Sequence, residues 1–133
     1  MTARNYGFTL LELMIVVIII GIVATMVSPQ LINVANETSL KSDIQAAQAL
    51  QNMIDMYVAN GNSLGDTSIA GICQTLATAS YLSSKDFGTD GLNLRLDGNQ
   101  LTYSESDGVK LSVSSEYLDL VENLDDIQRL WIN

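Results

Sequence analysis

The chain has 133 residues, six of them Lys or Arg and fifteen Asp or Glu, for a formal net charge of -9 with no histidine and one cysteine. That length suits one modest domain. The acidic balance excludes the basic stripe that nucleic acids need, the missing histidine removes the side chain that titrates near neutrality, and a single thiol excludes an internal disulfide.

Residues 1–7, MTARNYG, are polar, with Arg4 as the only charged side chain. From Phe8 to Val27 runs FTLLELMIVVIIIGIVATMV, twenty residues carrying one charge, Glu12. As a helix this stretch is about 30 Å long, the thickness of one hydrocarbon core. A secretory signal would need a basic n-region, a shorter apolar core and a small-residue cleavage site. Arg4 is a thin n-region, and Val23-Ala24-Thr25 and Val27-Ser28-Pro29 are poor cleavage sites. An ordinary transmembrane anchor leaves Glu12 unexplained, because a carboxylate at a helix centre in lipid costs about 2.5–3.5 kcal/mol and such residues are usually functional. Close to the segment's start, Glu12 either snorkels to the interface or awaits a cation. A cut after Gly7 would leave Phe8 with a new ammonium one turn before Glu12, at the positive end of the helix dipole. In an array of packed helices, the Phe8 ammonium of one subunit would meet Glu12 of its neighbour, and pairing would neutralise both charges in a dry setting.

The run Gly7-Phe8-Thr9-Leu10-Leu11-Glu12 resembles the processing site of type IV pilins and of type II secretion pseudopilins. The resemblance implies cleavage between Gly7 and Phe8 by a prepilin peptidase, N-methylation of Phe8, and an apolar segment that stays on the mature protein. Gly before the cut, Phe after it and Glu fifth in the mature chain all match. One departure is the leader, where family members usually carry several Lys or Arg residues and this chain has Arg4. Gly21 and Pro29 also fit: in a helix interior Gly costs about 1 kcal/mol and Pro about 3 relative to Ala. Taken alone they mark a kink at the membrane exit; the resemblance implies that the helix melts locally between them when packed in a filament.

Beyond Pro29, Leu40, Ile44, Ala47, Leu50, Ile54 and Tyr57 recur at spacings of three and four. Lys41, Asp43, Gln45, Gln48, Gln51, Asn52 and Asp55 are assigned to the wet face. The helix is expected to stop at Asn60-Gly61, where Gly suits a left-handed cap, giving a rod of about 78 Å from Phe8 to Ala59. Residues 61–67 read as a turn-rich linker. Ser68 caps a short helix carrying Ile69, Ile72, Cys73 and Leu76 and extending toward Tyr81-Leu82, with Cys73 a buried, inert thiol. Residues 85–91 read as a loop. Three alternating runs, Leu92–Leu96, Leu101–Tyr103 and Val109–Val113, separated by turns at Asp97-Gly98-Asn99 and Asp107-Gly108, read as an antiparallel meander. Its apolar face needs a cover, and the helix face around residues 40–57 supplies one. Tyr117, Leu120, Val121, Leu124, Ile127 and Trp131 have helical spacing, with Ser115 as cap, and read as one or two short helices.

The expected fold class is therefore α+β: a long N-terminal transmembrane and stalk helix on a small antiparallel head, as the resemblance also implies. The expected divisions are a cleaved leader (1–7), a membrane or filament-core helix (8–30), its amphipathic continuation (31–60) and a head (61–133). The expected function is a structural, non-enzymatic subunit of a type IV pilus filament, with Glu12 in assembly and no cofactor. The expected partners are further copies of the chain, a prepilin peptidase and methylase, pilus or secretion assembly machinery, and membrane lipid before assembly; nucleic acid is not among them. The subunit would wait in the inner or cytoplasmic membrane and end in a surface filament. The alternatives are a pseudopilin of type II secretion or DNA uptake in a periplasmic pseudopilus, and a single-span anchored adhesive domain with loops at 61–67 and 85–91. Oxygen-rich turns at Asp86, Asp90, Asp97 and Asp107 would suit calcium, which major pseudopilins are known to bind. Their spacing is not that of an EF-hand, Asp-Gly is first a turn signal, and no metal site is assigned.

Overall fold

The computed structural model of the protein describes residues 7–133 and divides into two compact units, one ending at Ala35 and one running Asn36–Asn133. The leader residues 1–6, Arg4 among them, lie outside the described residues.

Helix α1, Leu10–Ala59, begins in the first unit and contributes its later turns to the second. Thr9, not Phe8, is the last residue before it. The Thr9 N–H donates to Glu12 Oε2 at 2.9 Å, and the Glu12 N–H donates to Thr9 Oγ1 at 3.2 Å. This reciprocal pair is a capping box, which satisfies two amides that the first helical turn would otherwise leave bare. Every residue from Gly7 to Ala35 is exposed, including the whole run of Leu, Ile, Val and Met side chains. Thr25 Oγ1 donates to Ile22 O at 2.7 Å and Ser28 Oγ to Ala24 O at 2.9 Å, so both hydroxyls are turned onto the helix's own carbonyls. Helical geometry continues past Gly21 and Pro29 without a break.

In the second unit, α1 buries Leu40, Ile44, Ala47, Leu50 and Ile54 on the face that the periodicity marks. The helix ends at Ala59, and Gly61 follows at φ +86°, a left-handed conformation that a side chain would strain. Helix α2, Ile69–Thr78, is capped by Ser68, whose hydroxyl accepts from the Gly71 N–H at 3.1 Å. Its apolar side, Ile69, Ile72, Cys73 and Leu76, packs with Leu50, Ile54, Leu82 and Val109 of the first core cluster. The predicted continuation to Tyr81-Leu82 lies past the end of α2, where Tyr81 sets its ring edge-on to Tyr57 at 5.8 Å. A second core cluster gathers Leu40, Ile44, Leu96, Leu111 and Leu124. Each such side chain, fully buried, contributes roughly 1.5–3 kcal/mol.

The strands form two separate hairpins rather than a three-stranded meander. β1 (Phe87–Gly88) pairs with β2 (Gly91–Leu92), inside the segment expected to be a loop. β3 (Gln100–Ser104) pairs antiparallel with β4 (Gly108–Ser112), with Leu101 opposite Leu111 and Tyr103 opposite Val109. The run Leu92–Leu96 adds no strand beyond Leu92. Its amides are taken by a side chain instead: Asp43, expected on the wet face of α1, is buried and accepts from the Arg95 N–H at 2.6 Å and the Leu96 N–H at 3.1 Å. Backbone donors committed to a carboxylate are not free to build a strand ladder.

After β4 come a 3-10 turn (Ser115–Tyr117), α3 (Leu118–Val121) and α4 (Asp126–Arg129). The predicted cap moves: Ser114, not Ser115, precedes the first turn and makes no side-chain cap bond. The clear N-terminal signal is at Asp125, whose carboxylate accepts from the Gln128 N–H while Gln128 Oε1 accepts from the Asp125 N–H. Beyond α4 the chain lies beside β4, with the Leu111 N–H donating to Trp131 O at 2.7 Å and the Asn133 N–H to Leu111 O at 3.0 Å. This backbone pairing holds a segment that the single cysteine cannot staple.

Candidate processing and assembly site

The residues singled out from the sequence fall in two groups. Gly7, Phe8 and Glu12 lie together at the start of α1, and Gly21 and Pro29 lie along it. Gly7, Phe8 and Thr9 are outside regular secondary structure and exposed, Phe8 at 84%. The Gly7–Phe8 peptide bond thus lies in an exposed stretch before the helix. A Cβ added to Gly7 or to Gly21 would meet nothing within 4 Å. Neither glycine is therefore required by contacts among the described residues.

The sequence argument set Glu12 against a missing cation; the geometry adds a local partner. The Thr9 amide already binds one carboxylate oxygen. Cleavage after Gly7 would leave that amide in place and add the Phe8 ammonium one residue before it. Glu12 would then lie near its own helix's positive end with an accepting oxygen left over for a second donor. Leu10–Ala59 is the one helix among the described residues long and apolar enough to cross a membrane, and its apolar window has no burial within the chain.

The polar site that sequence reasoning missed is in the second unit. Besides its two backbone bonds, Asp43 accepts from Asn99 Nδ2 at 3.1 Å, and Asn99 Oδ1 accepts from the Ser114 N–H at 2.9 Å. One buried carboxylate thus ties α1 to the 95–99 turn and, through Asn99, to the end of β4. Nearby, Gln51 Oε1 accepts from the Val109 N–H at 2.8 Å while its amide nitrogen donates to Asp55 at 2.7 Å. These arrangements fasten the fold and carry no nucleophile or proton relay. Cys73 is buried among apolar side chains, which pushes its thiol above the ordinary value of 9.0. Asp66 is held below its ordinary 3.8 by the Ser68 N–H and then by the Ser68 hydroxyl. Among the described residues no group of three or more His, Cys, Asp or Glu side chains is placed to hold a metal ion. Asp86, Asp90, Asp97 and Asp107 are not brought together into such a group.

Part of the chain matches known proteins. The family model for the prokaryotic N-terminal methylation motif matches residues 2–28. The chain is 39% identical over 59 residues to the type II secretion system core protein G of Aeromonas hydrophila, covering 44% of this chain and 41% of that protein. It is 39% identical over 69 residues to the protein of the same description from Vibrio cholerae, covering 52% and 47%. To that of Klebsiella pneumoniae it is 36% identical over 76 residues, covering 57% and 53%. The chain thus spans about half the length, or less, of the curated relatives it matches. No solved structure matches it.

Proposed function

We propose that the chain is a prepilin-processed structural subunit of a pseudopilus, of the type II secretion or DNA-uptake kind. The observation that carries this reading is the methylation motif over residues 2–28 joined to relatives described as core proteins of type II secretion. These likenesses support the pseudopilus over the surface pilus that the motif alone equally allowed. The role is structural rather than catalytic.

In this reading residues 1–7 are removed by a prepilin peptidase and Phe8 is methylated. The mature subunit waits with residues 8–30 in the membrane, continues through residues 31–60 as an amphipathic helix, and carries residues 61–133 outside. Assembly machinery then moves the apolar helix from lipid into a bundle of its copies. That transfer gains little hydrophobic energy, since lipid tails are as apolar as Leu, so close packing and polar pairing must set the register. Glu12 supplies the pairing, with the Phe8 ammonium of a neighbouring copy as its second donor. Gly21 supplies close approach. Pro29, which has no N–H to give to Thr25 O, leaves the Gly21–Pro29 stretch the easiest to unwind as copies pack.

Mass spectrometry of the N-terminus from envelope-extracted protein tests the reading, with a chain beginning at methylated Phe8 as the expected result. An N-terminus at Met1 in the mature protein would instead favour the anchored binding domain. Glu12→Ala should leave membrane insertion intact and abolish assembly on overproduction; normal filament yield from that variant would remove Glu12 from the mechanism.

A further inference from the structure

The second unit carries a groove of about 710 Å³ between the end of its α1 segment, the β3–β4 hairpin and the segment after α4. Its apolar lining includes Val58, Leu130 and Trp131. Val58 and Leu130 remain 49% and 66% exposed. Single exposed apolar side chains are ordinary; several converging in one concavity mark a binding surface. Asp55, Glu105 and Asp107 line its edge, all exposed, against one cation, Lys110. The Lys110 ammonium donates to Leu130 O and keeps its charge, so three carboxylates stand against one cation and the lining is acidic on balance.

We propose that this groove docks a short segment of a partner protein that carries paired cations flanking an apolar side chain. The cations would face Asp55, Glu105 and Asp107, and the apolar side chain would cover Leu130 and Trp131. Charge complementarity argues for a different protein as occupant. The cations among the described residues, Lys41, Lys85, Arg95, Lys110 and Arg129, stand ten or more residues apart, so no short described segment of a second copy offers a pair. An acidic rim on a chain of net charge -9 also repels its own kind.

Trp131 is the only tryptophan in the chain, so intrinsic fluorescence reports on this groove directly. The test uses the full chain in micelles of a neutral detergent and two tryptophan-free, end-blocked peptides, KLFKK and ELFEE. The cationic peptide should shift Trp131 emission saturably, and raising salt from about 20 to about 300 mM should weaken its binding severalfold by screening. Glu105→Gln with Asp107→Asn should weaken it at least about fivefold, and Asp55→Asn, whose amide oxygen can still accept from Gln51 Nε2, about two- to threefold. Partition into micelles is common to all the proteins and cancels in that comparison. Equal shifts with ELFEE, equal affinity in the charge variants, no shift with either peptide, or a Trp131 shift that follows the chain's own concentration would each overturn the proposal, the last by making a second copy the occupant.

Discussion

Asp43 is buried and makes no salt bridge among the described residues; its carboxylate accepts from N–H donors. Replacing it by Ala removes the acceptor for three donors at once. The Arg95 amide is only part-buried and can turn to water, but the Leu96 amide and Asn99 Nδ2 cannot do so without opening the core. A buried donor left unsatisfied costs about 1–3 kcal/mol, so Asp43→Ala should cost about 2–6 kcal/mol, a large share of a domain's usual 5–15. Asp43→Asn keeps one acceptor oxygen but aims an NH2 group at one of the donors, and should cost about 1–3 kcal/mol. Asp43→Leu restores volume and adds apolar surface, yet strands the same donors. It should resemble Ala rather than exceed the native chain. Urea unfolding of the full chain in neutral detergent, followed by Trp131 emission and far-ultraviolet circular dichroism, gives the order: native, then Asn, then Ala and Leu together. A Leu variant as stable as the native chain would refute the reasoning, because the site would then be a packing position with an incidental charge. So would an Asn variant within about 0.5 kcal/mol of native, the range of neutral surface changes.

Other predictions concern single contacts. Asp66 has its carboxyl lowered by Ser68, so its contribution to stability is present above its unfolded value of 3.8 and lost as pH falls through the lower folded value; Asp66→Asn should flatten that acid limb of the stability profile. Cys73, buried and with a raised thiol, should resist alkylation in the native state and react at the rate of unfolding, which a maleimide time course in increasing urea reads. Gly108 adopts φ +71° and a Cβ there would lie 2.5 Å from Gln51 Oε1. Gly108→Ala should therefore lower stability by about 1–3 kcal/mol through both strain and loss of the Gln51 bond to Val109, and in a double-mutant cycle Gln51→Ala should remove the part due to Gln51 and leave the strain of a side chain at positive φ.

What the sequence made legible was whatever depends on near neighbours. The apolar window, the stripe from Leu40 to Ile54, the Ser68 cap and the turns at Gly61, Gly98 and Gly108 are all set by residues within a turn or two of each other, and all stand where the spacing put them. The misplacements on α1 share one cause. Asp43 and Gln51 were assigned to the wet face by residue type, although position 43 falls three after Leu40 and four before Ala47, and position 51 falls four after Ala47 and three before Ile54. Both are on the buried stripe by spacing. Their partners lie 52 to 58 residues further along the chain, beyond the reach of any periodicity. The same long-range carboxylate explains the missing third strand: residues 92–96 alternate as a strand would, but Asp43 claims the Arg95 and Leu96 amides first. A polar side chain at a stripe position is thus a signal in its own right. It forecasts a buried acceptor, and the segment to search for its donors is one rich in turn residues whose backbone has no other partner. In this chain the turn-rich 93–99 segment supplies those donors, the Arg95 and Leu96 amides and Asn99 Nδ2. At the N-terminus the limit is of another kind. The motif names Gly7, Phe8 and Glu12, but among the described residues nothing requires Gly7 or Gly21 to lack a side chain, and a requirement set by another molecule is not written in the contacts of one chain.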